Sequence, residues 1–458
     1  MGKLPANRQI TEGVIWKQLL IFFFPILLGS FFQQMYNTVD TIIVGRAVGR
    51  QALAAVGATS ALVNLMGGFF IGLSSGATVI LAQFYGAYDR ENVSKALHTG
   101  MLLSVVLGLM VMALGILAGP WILRVTQTPE SCMADAVLYV RIYFSGSVAF
   151  MIFNMGASIL RAMGDSVRPT LFLIAACMVN IVMDIVCVVY LRMGVAGAAI
   201  ATVLSQIVSA VLVVWMLLRQ PEECRLHLRK LSLDGKLIRS ILVIGIPAGL
   251  QFITFDLANL IIQSSVNSFG EITVAAWTAY SKSDAIVWLI ITAFGVAVTT
   301  FVGQNFGAGK YHRIRRSVWV GMAMCGTVVA AVSMITLYFR KFLLGIYTPD
   351  LDVIRVGAHV MLYIVPFNVI FVPVEVFAGT MRGTGYSLVP AVITGLCACL
   401  FRILWVAVMV SWHHTPEMLA LAYPVSWTLA AAVFTVTYFR GTWLKKSIAA
   451  SGMDPENA

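Results

Sequence analysis

Twelve apolar stretches of about 20 residues follow one another along the chain, centred near residues 28, 67, 105, 148, 180, 206, 252, 288, 328, 368, 400 and 428. Each can cross the hydrocarbon core of a bilayer as a helix. Inside a bilayer only helices and closed barrels satisfy every backbone polar group. Barrel strands alternate over roughly ten residues, and these stretches are longer and evenly apolar. Composition agrees: 59% of the residues are hydrophobic and 11% charged. A soluble domain has about a quarter of its residues charged, so this chain lacks the polar surface to dissolve in water. The expected fold class is an all-α membrane protein of twelve transmembrane helices.

The chain also repeats itself, at a spacing of about 221 residues. Ala82-Gln83-Phe84-Tyr85-Gly86-Ala87 returns as Gly303-Gln304-Asn305-Phe306-Gly307-Ala308, and Leu160-Arg161-Ala162-Met163-Gly164 as Met381-Arg382-Gly383-Thr384-Gly385. Gly49 falls on Gly270, Thr78 on Thr299, Gly100 on Gly321, Pro169 on Pro390 and Ser205 on Ser426. Pro25 meets Pro247 one residue out of register. Each copy holds six spans and starts on the same side, so the repeat is parallel, about an axis along the membrane normal. The expected organisation is an N-terminal lobe over 1–219, a polar connector over 220–239 and a C-terminal lobe over 240–458, its tail after Arg440 short, polar and frayed. Two such six-helix lobes should enclose a central pathway, as in transporters.

Charge gives the orientation. With the N-terminus inside, the inner loops and termini hold 21 Lys+Arg and the outer loops 7; Arg141, Lys282 and Arg402 lie in or beside spans, completing the 31. Both termini are therefore expected in the cytoplasm. The net charge of +11 is read as this bias and not as a nucleic-acid surface, because the basic residues are spread over many short loops. The first apolar segment outruns a signal-peptide core, carries Asp40 and lacks a small-residue cleavage site, so it is expected to be retained. The seven Cys have no metal or redox spacing and read as apolar filler.

Two motifs close spans on the cytoplasmic side. In Gln-x-x-Gly-Ala and Arg-x-x-Gly, glycine allows a tight helix end and arginine anchors it at the headgroups. Pro25 and Pro247 sit inside spans 1 and 7, where each removes a backbone donor.

Charge inside a span costs about 2.5–3.5 kcal/mol on insertion scales, so it normally faces a partner or a cavity. Asn180 and Asp184 share one face of span 5. Asp184 lies eight residues before the outer turn and Thr202 eight residues after it, both roughly 12 Å deep. Asp40 on span 1 joins them. The oxygen-rich set suits a hard cation such as Na⁺, or a proton held between carboxylates. In the second copy the corresponding positions are Phe401, Trp405 and Tyr423, with Ile261 or Ile262 at Asp40. The scaffold is repeated and the oxygens are not, which favours a coupling site over polar glue. The second half carries Asp256, Lys282, Asp284, Glu375 and Arg402. Asp256, Tyr280, Asp284 and Glu375 are candidates for a substrate site or a second coupling site, and Arg402 for an ion pair with one of the acids. Tyr36, Tyr139, Trp277, Trp288 and the many Met could line an adaptable pathway.

Taken together, the twelve spans, both repeated motifs and Asn180-x-x-x-Asp184 resemble the multidrug and toxic compound extrusion (MATE) transporters, in their bacterial branch, over nearly the whole chain. The resemblance implies two lobes in a V-shaped arrangement and export of small organic cations, with inward Na⁺ or H⁺ as the driving ion and no cofactor. It implies a monomer surrounded by membrane lipids in the bacterial cytoplasmic membrane, without enzymatic activity. It maps the N-lobe cation site onto Asp40, Asn180, Asp184 and Thr202, which would be the Na⁺ ligands in a sodium-coupled member, with the backbone of Ala198 as a further ligand. The alternatives are a lipid-linked sugar flippase of the same superfamily, disfavoured by the acids on spans 1, 5, 7 and 10, and a non-transporting membrane receptor.

Overall fold

The computed structural model describes residues 10–126 and 128–451. Lys3 and Arg8, which entered the charge count, and residues 452–458 of the tail lie outside the described residues. All regular structure among the described residues is helical. The elements are α1 (Ile15–Ala47), α2 (Arg50–Gly86), α3 (Arg90–Val125), α4 (Glu130–Ser145), α5 (Ser147–Ala162), α6 (Val167–Asp184), α7 (Gly194–Leu218), α8 (Gly235–Asn267), α9 (Glu271–Gly307) and α10 (Tyr311–Tyr338). They continue as α11 (Arg340–Tyr347), α12 (Leu351–Ile364), α13 (Asn368–Gly383), α14 (Leu388–Thr394), α15 (Phe401–Trp405), α16 (Pro416–Phe439) and α17 (Thr442–Ser451).

Eleven helical stretches are long and apolar enough to span a membrane, and α4 with α5, bent by 46° at Gly146, makes the twelfth. Each sits where an apolar stretch predicts it. The helices are apolar nearly all round, as expected of elements facing lipid on one side and protein on the other.

The chain divides into two compact units. One comprises Phe24–Gly245, the other Ile10–Phe23 with Ile246 onward. The first residues of α1 thus belong with the second half and the first residues of α8 with the first half. Each changeover falls just before a proline, Pro25 or Pro247, where the helix has no N–H to donate. Among the contacts that hold Ile10–Phe23 in its unit, Ile10 N–H donates to Gln304 Oε1 (3.3 Å), and Arg313 and Lys310 donate to the carbonyls of Gly13 and Thr11 (2.9 and 3.0 Å).

The glycine of the Arg-x-x-Gly motif ends its helix as expected. Gly164 and Gly385 have φ of +92° and +87°, in the region that favours glycine. At each, two backbone bonds close the turn: Asp165 N to Leu160 O with Gly164 N to Arg161 O, and Tyr386 N to Met381 O with Gly385 N to Arg382 O. This is the Schellman arrangement. The Gln-x-x-Gly-Ala motif works differently from the expectation. Gly86 and Gly307 are still helical, and the left-handed position falls two residues later, on Tyr88 (φ +60°) and Gly309 (φ +68°). In the second half the motif's amides serve instead to hold Ile10.

A second correction concerns the tail. Residues 442–451 form α17, and Trp443, Leu444 and Ile448 are buried. The polar appearance of the segment hides an apolar face at helical spacing.

Candidate functional site

Within the first unit, Asp40, Asn180, Asp184, Thr202 and Ala198 are all buried, Asp184 completely so. The carboxyl groups of Asp40 and Asp184 are direct neighbours, with the hydroxyls of Tyr36 and Tyr139 close by. Ala198 packs in one apolar cluster with Val44, Tyr139 and Val188, one turn from Asp40 and Asp184 respectively. Thr202 lies one turn further along α7.

The informative feature is what these groups do not touch. Asp40 Oδ1, both Asp184 carboxyl oxygens and both polar atoms of the Asn180 amide are buried without a hydrogen-bond partner among the described residues. Buried polar atoms are nearly always paired, because an unpaired one costs about 1–3 kcal/mol. Two adjacent carboxylates cost more, since each repels the other's charge. A proton shared by the pair, or a small hard cation ligated by the carboxylate and amide oxygens, removes both penalties. The oxygen set therefore suits either ion chemically.

The backbone beside Asp184 is altered as well. A π-helical turn, Ile185–Tyr190, follows it directly, and Gly197 on α7 approaches the Cys187 backbone so closely that a Cβ would meet it at 3.0 Å. Such π segments often occur at functional positions. Here the second half has one too, at Val406–Val410 after Trp405, so this turn belongs to the scaffold. An extra π turn at Gly395–Leu400 has no counterpart in the first half.

Beside the acid pair, the first unit has a half-open pocket of about 200 Å³ lined by Gln33, Tyr36, Asn64, Tyr143, Asn180 and Gln206 among others. Among the described residues no charged side chain lines it. Sequence spacing does not pick out Tyr143 or Gln206. They arrive because span 4 bends at Gly146, where a Cβ would lie 2.6 Å from Gln206 Oε1. The missing side chain lets the α7 amide enter the bend.

The second unit separates the other candidates. Asp284 is buried and accepts three hydrogen bonds, from Asn368 Nδ2 (2.8 Å), Trp288 Nε1 (3.0 Å) and Tyr280 Oη (3.4 Å). Glu375 accepts from Arg382 (2.6 Å), which also donates to Gln251 (3.0 Å). Gly295 makes room for this acid: a Cβ there would fall 2.1 Å from Glu375 Oε1. Asp256 is half-buried and joins neither group. Arg402 does not pair with an acid, as the sequence suggests it could. Its guanidinium lies 4.3 Å from the ring centroid of Tyr423, and its Nε donates to Ser426 Oγ (3.2 Å). Arg382, the arginine its motif suggested as a headgroup anchor, is instead turned inward and takes the acid.

The MatE family model matches residues 25–186 and again residues 247–408, one copy in each half. The chain belongs to the MatE family. Among curated relatives, the probable multidrug resistance protein YoeA of Bacillus subtilis is 27% identical over 457 residues, covering 97% of both chains. The probable multidrug resistance protein NorM of Thermotoga maritima is 24% identical, covering 95% of this chain and 94% of its own. An outward-facing multidrug resistance MATE transporter of the MOP superfamily superposes with a TM-score of 0.90 over 97% of this chain, at 22% identity, and so shares the fold. The protein is thus a multi-pass transporter of the MATE family, with the internal repeat that the sequence displays.

Proposed function

We propose that this MATE protein exports small organic cations and amphipathic compounds, driven by the inward movement of H⁺ or Na⁺ through Asp40 and Asp184. The observation that carries this reading is the pair of adjacent, buried carboxylates, of which Asp40 Oδ1 and both Asp184 oxygens lack a hydrogen-bond partner among the described residues. Asn180 supplies a further oxygen, and Thr202 with the Ala198 backbone completes the proposed ligand set. The protein acts as a monomer in a bacterial cytoplasmic membrane, with both termini inside, and needs no cofactor.

Coupling requires that ion and substrate favour different states, since equal affinity for both states shifts nothing. With the acid pair charged, the first unit offers negative potential to a cationic substrate in the adjoining uncharged cavity. Occupation by a proton or Na⁺ removes that potential and favours release. One net charge entering gains about 2.3 kcal/mol per 100 mV, enough for a roughly fiftyfold gradient of a neutral amphipathic compound; when a monovalent cation leaves in one-for-one exchange the charges cancel, and the ion's own concentration gradient supplies the work. In this reading Asp284, Tyr280 and Glu375, held in hydrogen-bonded networks of the second unit, serve the scaffold, and the half-buried Asp256 is the candidate there for a substrate or second coupling site.

The test is ethidium transport in inverted vesicles with pH and Na⁺ gradients imposed separately. Transport that follows one gradient supports the reading and names the ion. Transport indifferent to both gradients contradicts it.

A further inference from the structure

At the end of the second unit that carries the α9–α10 turn, cations gather, with Glu12 beside Arg313 as the acid among them. Arg315 and Arg316 lie on the first turns of α10, Arg440 follows α16, and Lys445 and Lys446 sit on α17; Arg316, Arg440 and both lysines are exposed. No acidic residue occurs within 310–316 or 440–451. None of the ion pairs among the described residues includes Arg316, Arg440, Lys445 or Lys446.

Two further features make this a shaped surface. Trp319, one turn from Arg316, is 53% exposed, and it lies 6.2 Å from the 64% exposed ring of Phe439. Exposed Trp beside cations is the arrangement found at the headgroup level of a bilayer. Helix α17 is also firmly placed. Trp443 stacks on Tyr438 and donates to its carbonyl (3.1 Å), and Ser447 donates to Thr384 Oγ1 (3.1 Å). Its buried face fixes its lysines outward.

The repeat provides a control, because a general bias towards cytoplasmic cations would treat both halves alike. In the first half Lys95, which corresponds to Arg316, pairs with Glu91 (2.6 Å). Arg90 pairs with Glu223 and Arg225 with Glu222, and His98, in the place of Trp319, is buried and accepts a hydrogen bond from the His227 backbone. There Arg90 ties the connector down and the other cations are paired locally; in the second half Arg316, Arg440, Lys445 and Lys446 make no ion pair among the described residues.

We infer that Arg316, Arg440, Lys445 and Lys446, with the Trp319–Phe439 ring pair, bind the headgroup and upper acyl region of an anionic phospholipid. The phosphate and glycerol lie on the cations, and the rings pack against the start of the chains. Attraction to anionic lipid grows with each basic residue near the surface and is weakened by salt.

The test is lipid competition on the purified full chain, read by native mass spectrometry, between phosphatidylglycerol and phosphatidylcholine of equal chain length. Wild type should retain phosphatidylglycerol with about tenfold preference, and the preference should fall at high salt. The fourfold change R316Q/R440Q/K445Q/K446Q should bring the two lipids close to parity, and K95Q/R225Q, in the first half, should leave the preference intact. An R316K/R440K variant, which preserves charge, guards against misfolding and should keep the preference. Soluble glycerol phosphate should not displace the bound lipid. Equal retention of both lipids by wild type, an undiminished preference in the fourfold variant, or displacement by glycerol phosphate would overturn the assignment.

Discussion

The two halves of this MATE protein share a scaffold and spend it differently. In the first, α6 and α7 carry Asn180, Asp184 and Thr202, and Asp40 Oδ1 with both Asp184 oxygens is left without a hydrogen-bond partner among the described residues. In the second, the same positions carry Phe401, Trp405 and Tyr423; Phe401 packs on Trp405 with centroids 5.8 Å apart, and Tyr423 lies under Arg402. The acids of the second half are instead furnished with donors: three for Asp284, an arginine for Glu375. The lesson is that a buried acid should be judged by its partners and not by its burial. Satisfied acids hold a fold together. An unsatisfied pair at matched depth is available to an ion.

The sharpest contrast comes from parallel substitutions. Asp184→Asn should abolish gradient-driven ethidium efflux and leave thermal unfolding unchanged or slightly raised, because it removes a repulsive buried charge. Asp284→Asn should do the reverse. It leaves some of three converging donors without an acceptor, at a cost of about 1–3 kcal/mol, while the folded fraction keeps its response to the gradient. Both effects are read by efflux per folded molecule and by a thermal melt in the same preparation. Loss of stability in the first variant, or loss of drive alone in the second, would erase the distinction between the halves.

A smaller effect concerns how the spans break. The first half bends at Gly146, and the corresponding place in the second half is the 3₁₀ turn Val365–Phe367, with Pro366 inside it. Only the glycine bend admits a neighbour's amide. Gly146→Ala should therefore displace Gln206, cost about 1–2 kcal/mol as overpacking does, and weaken ethidium binding severalfold in a fluorescence titration. A change at Phe367 should leave ethidium binding alone.

The smallest effects test the turns after α2 and α9. Gly309→Ala should destabilise by about 1 kcal/mol, because an L-residue is strained at positive φ. Tyr88→Gly should be neutral or stabilising by a few tenths of that, since Tyr88 already bears the strain. Paired thermal melts check both.

Much of the fold was legible because its signals are local. Span length, the repeat and the Schellman glycines Gly164 and Gly385 need only neighbouring residues to be read. Helical spacing placed Asn180 and Asp184 on one face for the same reason. The unread parts depend on distant chain. Tyr143 and Gln206 meet only through a bend, and Arg382, which holds Glu375 two turns back on its own helix α13, reaches Gln251 only across to α8. The apolar face of α17 escaped notice because Lys445 and Lys446 dominate a short segment. The motif glycines Gly86 and Gly307 misled, since the strained position lies two residues beyond them, on residues of different type.

The most direct measurement is ion release on substrate binding to purified protein. Ethidium is added to the detergent-solubilised chain in weak buffer, with pH and bound ²²Na⁺ followed together. Linkage requires that an ion which lowers substrate affinity be expelled by the substrate. Wild type should release H⁺ or Na⁺ in proportion to ethidium bound, and Asp40→Asn and Asp184→Asn should bind without release. Binding by wild type with neither ion released, or release undiminished in both variants, would contradict coupling at this carboxylate pair.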